Sequence, residues 1–156
     1  MDFISPEKPP KKEDDLVVDD PFWPAVSPKN YRAVMRENDG TIIASRLKDA
    51  LSHAMIEVAC ELRDWQTQKK REGFNQLADI PAMQINDDSA LCLLYERAVF
   101  GLAKANLSER FRDIDTQASG HKKADSLSPT IDDYRRDALW AIARIKGQSH
   151  NVVALI

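Results

Sequence analysis

Apolar positions recur at three- and four-residue intervals along most of the chain and strict alternation is nearly absent, a pattern that predicts helices throughout. The clearest run covers residues 41–74. There Leu47, Leu51, Ala54, Met55, Val58, Leu62 and Trp65 share one helical face, and no proline intervenes. As one helix to residue 72 it would measure about 48 Å, more than a compact domain of this size spans, so an elongated molecule or a protruding helix is expected. A connector at residues 77–86, containing Pro81, separates it from a second long helix. Asp87 and Asp88 stand where they would cap that helix, and Leu91, Leu94, Tyr95, Ala98, Val99, Leu102, Ala105 and Phe111 carry its period. Between residues 91 and 102 it is apolar over more than half its circumference, which marks it as the central helix.

Shorter signals fill in the rest. Pro21-Phe22-Trp23-Pro24 cannot be helical, because each proline drives its predecessor toward extended geometry. It reads as a strap whose two aromatics cover the core of their own domain. Ser27 followed by Pro28 is a cap-then-proline helix start, predicting a short helix over residues 28–37 that stops at Asn38-Asp39-Gly40. Residues 112–127 are polar and hold Gly120, and they read as a loop. Ser128-Pro129 repeats the start signal for a last helix through Ile131, Tyr134, Ala138, Leu139, Ile142 and Ile145 to a stop at Gly147. Val152, Val153, Leu155 and Ile156 favour extended structure while nothing else reads as a strand. This segment either packs on its own domain or pairs with a neighbouring subunit.

The predicted fold is therefore all-α: an elongated bundle of about four helices at residues 21–147, with a disordered arm at 1–20 and an extended segment at 148–156. Charge sharpens that division. The arm carries seven acidic residues against three lysines, a net −4, so the remainder is close to neutral at about +1. Such a segment buries too little apolar surface to offset its chain entropy. With 43% hydrophobic and 30% charged residues the rest has the composition of an ordinary globular domain, and a near-neutral fold does not point to a general phosphate-binding field. No apolar stretch approaches bilayer length, so no membrane association is expected. Cys60 and Cys92 sit in helical patterns without a CxxC spacing and read as buried thiols in a reducing compartment.

The chain contains no glycine-rich phosphate loop, no HExxH zinc helix and no nucleophile elbow. His53, His121 and His150 lie in different elements at spacings that make no metal pair, and Cys60 is two helical turns from His53 with nothing to orient the imidazole. No catalytic residue, metal ligand or cofactor is expected. The cations Arg63, Lys69, Lys70 and Arg71 beside Trp65 end a helix, where they favour the dipole. Together with Arg110, Arg112, Lys122 and Lys123 they are candidates for a subunit interface. The alternative is a small helical DNA-binding regulator that uses the patch from Arg63 to Arg71.

Several blocks, in their order, resemble one family. They are Gly73-Phe74-Asn75-Gln76-Leu77-Ala78-Asp79-Ile80-Pro81-Ala82, Tyr95-Glu96-Arg97-Ala98-Val99, Ser108-Glu109-Arg110-Phe111-Arg112, Lys122-Lys123-Ala124-Asp125-Ser126 and Trp140-Ala141-Ile142-Ala143-Arg144-Ile145. The chain from about Phe22 onward is similar to the head-completion, or head-to-tail joining, proteins of contractile-tailed temperate bacteriophages. The resemblance implies a structural adaptor made in the host cytoplasm and carried in the virion at the head–tail vertex. It would form a ring on the portal protein after packaging, a dodecamer to match it. Filled heads would be stabilised, the tail completion or terminator protein would find its attachment surface, and DNA would pass through the channel without specific binding. Asn151, Val152, Val153, Ala154, Leu155 and Ile156 are the expected contact with the portal or a neighbouring subunit.

Overall fold

Residues 98–103 are buried in unbroken succession around one helix, and that all-round burial organises the molecule. A computed structural model describes residues 15–37, 40–114 and 121–149, the side chains of 112–114 and 121–129 excepted. Among the described residues the helices are α1 (Pro28–Met35), α2 (Ala44–Glu61), α3 (Arg63–Arg71), α4 (Ala90–Ile114) and α5 (His121–Ile145). A hairpin of β1 (Gln84–Ile85) and β2 (Asp88–Ser89) precedes α4, and a single 3-10 turn spans Leu77–Asp79. The central helix expected from the sequence is α4. It packs most extensively on α5, then on α2, and also touches α1, the 3-10 turn and β2.

The closeness of α4 to α5 has a local cause. A Cβ at Gly101 would lie 3.0 Å from the Tyr134 carbonyl oxygen and 3.3 Å from the Ala138 Cβ, so the missing side chain lets the two backbones approach. On the α2 side, Leu47, Leu51, Ala54, Met55 and Val58 present the predicted stripe to the core. The α1 start is also as expected: the Asn30 N–H donates to the Ser27 hydroxyl at 3.1 Å, with Pro28 in the first turn. α1 ends at Met35 because Arg36 adopts a left-handed conformation (φ 57°), and the expected stop at Asn38-Asp39 lies outside the described residues.

Several expectations are corrected. The helix over residues 41–74 is interrupted at Leu62 (φ −99°, ψ 5°), which is fully buried, although hydrogen bonding carries across the break from Gln66 N–H to the Leu62 carbonyl. The expected single rod is thus two helices. The loop over residues 112–127 is largely helix, since α4 runs to Ile114 and α5 begins at His121, enclosing Ser128 and Pro129. Polarity does not separate a solvated helix from a loop, and an internal proline withholds only one helical donor. Asp87 does not cap α4. Asn86 (φ 50°) and Asp87 (φ 67°) instead form the left-handed corner of a hairpin that pairs Gln84 with Ser89 and Ile85 with Asp88. Asn and Asp tolerate that conformation better than other side chains. The Ser89 hydroxyl accepts the Leu91 N–H at 3.3 Å in the place expected of the aspartates.

The arm also gives up its last residues to the domain. Leu16 and Val26 exchange both backbone hydrogen bonds, at 2.8 and 2.9 Å, in an isolated antiparallel bridge. Asp20 then accepts from the Phe22 N–H, from Gln66 Nε2 at 2.9 Å and from Lys70 Nζ at 2.7 Å. One of the acids that mark the arm in the sequence is thus an ion-pair partner of the domain. Residues 1–14 lie outside the described residues. The strap itself covers its own core as expected, with Phe22 1% and Trp23 5% exposed. Trp23 stacks on Tyr95 at 5.0 Å between ring centroids, Phe22 meets Trp23 edge-on at 4.8 Å, and the Leu77 N–H donates to the Phe22 carbonyl. The cysteines differ from expectation: Cys60 is exposed and Cys92 half-buried, because both fall beside the buried stripes of their helices.

Candidate functional site

α1, α4, α5 and the hairpin leave an apolar groove between them. Two adjoining cavities of about 390 and 460 Å³ share Leu93, Leu94, Arg97 and Asp137. One extends toward Ile85, Trp140 and Arg144, the other toward Val34, Phe100 and Tyr134. α4 places Leu93 and Arg97 on one helical face four residues apart, and α5 places Asp137 and Trp140 on one face three residues apart. Arg97 Nη2 lies 3.3 Å from Asp137 Oδ2, an ion pair that joins α4 to α5 within the groove. The Arg136 guanidinium covers the Trp140 ring at 4.9 Å. Val34 (57% exposed), Ile85 (49%) and Leu93 (38%) remain open to solvent although each is a large apolar side chain.

Polar ties fix the walls. Asn30 Nδ2 donates to Glu96 Oε1 at 2.6 Å, holding α1 on α4. Burial pushes the Glu96 carboxyl up, with Asp88 adding to the rise and Asn30 opposing it. At the far end of α1 a largely buried ion pair joins Glu37 to Lys104, while Arg32 donates to the Ile42 carbonyl at 2.7 Å. Burial, reinforced by the Glu37 charge, holds the Tyr31 phenol far above its ordinary value. These groups set the register of α1 on α4. Among the described residues no group of three or more His, Cys, Asp or Glu gathers as a metal site would. His53 turns to Asp49 at 3.6 Å and Cys60 accepts from Arg63 at 3.6 Å, so that thiol and imidazole do not pair.

The predicted basic residues resolve into two sets. Lys70 pairs with Asp20, and its ammonium lies 5.8 Å from the Phe22 ring centroid. Lys69 pairs with Glu72 at 3.1 Å and sits 5.8 Å from the Trp65 ring centroid. Lys70 fastens the strap, and it holds the Asp20 carboxyl below the usual carboxylate range. Arg110 approaches Asp49 of α2 at 3.6 Å, whereas Arg63 and Arg71 are exposed. The side chains of Arg112, Lys122 and Lys123, and all of residues 151–156, lie outside the described residues. Sequence alone only hints at the groove. Its signal in the sequence was the apolar excess of residues 91–102, which is wider than one buried face needs, but the other walls come from helices distant in the chain.

The sequence model of the family described as phage head completion protein (GPL) matches residues 17–156. The chain is 43% identical over 135 residues to the head completion/stabilization protein of Escherichia phage P2, covering 86% of this chain and 79% of that one. It is 25% identical over 144 residues to the probable head completion/stabilization protein of Haemophilus phage HP1 (strain HP1c1), covering 92% and 94% of the two chains. No solved structure matches significantly. The relatives are structural proteins and not enzymes, and the chain belongs to the phage head completion protein family.

Proposed function

We propose that this protein completes DNA-filled heads of a tailed phage by assembling as a ring, a dodecamer, on the portal protein after packaging. The ring stabilises the filled head and presents the surface on which the tail completion or terminator protein attaches. DNA passes through its channel without specific contacts, and the protein resides in the virion at the head–tail vertex after synthesis in the host cytoplasm. The observation that carries this reading is the family match over residues 17–156, which spans every described helix. A ring of identical subunits needs two different surfaces on each copy. The groove beside α5 is a candidate for one. Residues 151–156 are proposed as the other, docking on the portal or on a neighbouring subunit. Among the described residues no helix is long and apolar enough to cross a membrane.

The test uses filled, tail-less heads from a phage lacking this gene. Adding the purified protein is expected to render the packaged DNA nuclease-resistant and to permit tail joining. Heads that retain DNA equally well without it would contradict the proposal. Removing residues 148–156 is expected to leave the helical fold, since α5 ends at Ile145 and closes on Gly147, while abolishing tail joining. The DNA-regulator alternative draws no support from the geometry, because Lys69 and Lys70 of the proposed patch are paired with Glu72 and Asp20.

A further inference from the structure

The groove between α1, α4 and α5 has the length and chemistry to receive a short apolar peptide, and we propose that it holds residues 151–156 of the next copy in the ring. This inference rests on the ring assembly proposed above and names its receiving surface. The first support is chemical match. The segment Asn151-Val152-Val153-Ala154-Leu155-Ile156 carries no charged side chain, and the ion pair shared by both cavities, Arg97 with Asp137, is satisfied within the groove wall. A segment with apolar side chains therefore brings no side-chain ion that the groove would have to pair, whereas an acidic or basic side chain would.

The second support is length. Along α5 the groove runs from Tyr134 to Arg144, about 15 Å at the helical rise. Six extended residues span about 20 Å, with alternate side chains on opposite sides. One side would enter between Leu93 and Trp140 and the other would face outward.

The third support is the departure point. Gly147 adopts a left-handed conformation (φ 73°), and its N–H and that of Gln148 donate to the Arg144 and Ala143 carbonyls at 3.0 and 2.9 Å. Such a cap ends the helix sharply and fixes where the chain leaves. It leaves close to Arg144, at one end of the groove, so a neighbour docked beside that end of α5 lies within reach. A segment lying in its own groove would join nothing. A segment in the next copy's groove makes a head-to-tail contact, the kind that closes into a ring when the rotation allows.

The experiment uses full-length protein in a Cys60→Ser/Cys92→Ser background. One preparation carries Leu155→Cys, and a second carries Leu93→Cys, Val34→Cys or Ile85→Cys in turn. Mixed, seated on filled heads and oxidised, the two are expected to yield disulfide-linked pairs of unlike copies from at least one groove position. Adding Val34→Arg to the Leu93→Cys preparation should reduce the linked fraction roughly tenfold, the effect of losing one buried apolar contact. If no groove position links to Leu155→Cys on heads that still retain their DNA, the inference is overturned and the head-completion reading stands. A doubly substituted chain carrying both cysteines that links only within itself would overturn it as well. Heads that lose their DNA despite the wild-type protein would instead contradict the head-completion reading.

Discussion

The two flanks of α4 treat apolar surface in opposite ways. Toward α2 most of the surface is covered from within the chain: Trp23 stacks on Tyr95, Phe22 meets Trp23 and Trp65 edge-on, and Lys70 with Asp20 clips the strap down, leaving Val17 and Ile56 at a smaller cavity of about 250 Å³. Toward α1 and α5 comparable apolar residues, Val34, Ile85 and Leu93, are left in an open groove. Sealing one flank supplies stability to a small domain whose core is limited. Leaving the other open costs stability that a partner would restore under the proposed joining role.

The comparison can be broken most severely at the strap. Trp23→Ala should destabilise the fold by about 3–5 kcal/mol, read as a fall in the thermal midpoint, because it removes a buried ring stacked on Tyr95. Next in size is Gly101→Val at the α4–α5 approach. Its side chain would press on the Tyr134 carbonyl, costing about 1–3 kcal/mol in denaturant unfolding. Lys70→Ala should cost less than about 1 kcal/mol, since that ion pair is partly exposed. The pair also has a pH signature. Asp20 is held below its ordinary value of 3.8, so its stabilising contribution is present above that value and is lost as pH falls through the lowered one. Asp20→Asn should flatten stability in that acid window. Smallest is Leu93→Arg, which should leave the unfolding midpoint within about 0.5 kcal/mol of wild type while abolishing head completion.

These outcomes also mark what the amino-acid pattern could convey. The central position of α4 was legible because residues 91–102 are apolar beyond one helical face, and the strap because two aromatics between prolines must lie extended. The Ser27 cap was legible for the same local reason. Where the reading failed, two local signals competed. Asn86-Asp87-Asp88 offered both a helix cap and a left-handed turn, and only the pairing of Gln84 with Ser89 decides for the turn. The stretch before Ser128 offered polarity and a proline, which fit a loop and a solvated helix equally. Asp20 was counted as tail acidity because its partner lies 50 residues away. The groove was least legible, since its lining is assembled from α1, α4, α5 and β1 and no single segment announces it.

The difference between the two flanks is tested most directly by cysteine labelling before and after assembly. Leu93→Cys, in the background lacking Cys60 and Cys92, should react readily with a thiol reagent in the free protein and become protected once the protein is seated on filled heads. An exposed strap-side position, Val17→Cys, reports whether protection is confined to the groove flank. Equal labelling of Leu93→Cys in the free and assembled states would contradict the claim that the open flank of α4 is the joining surface.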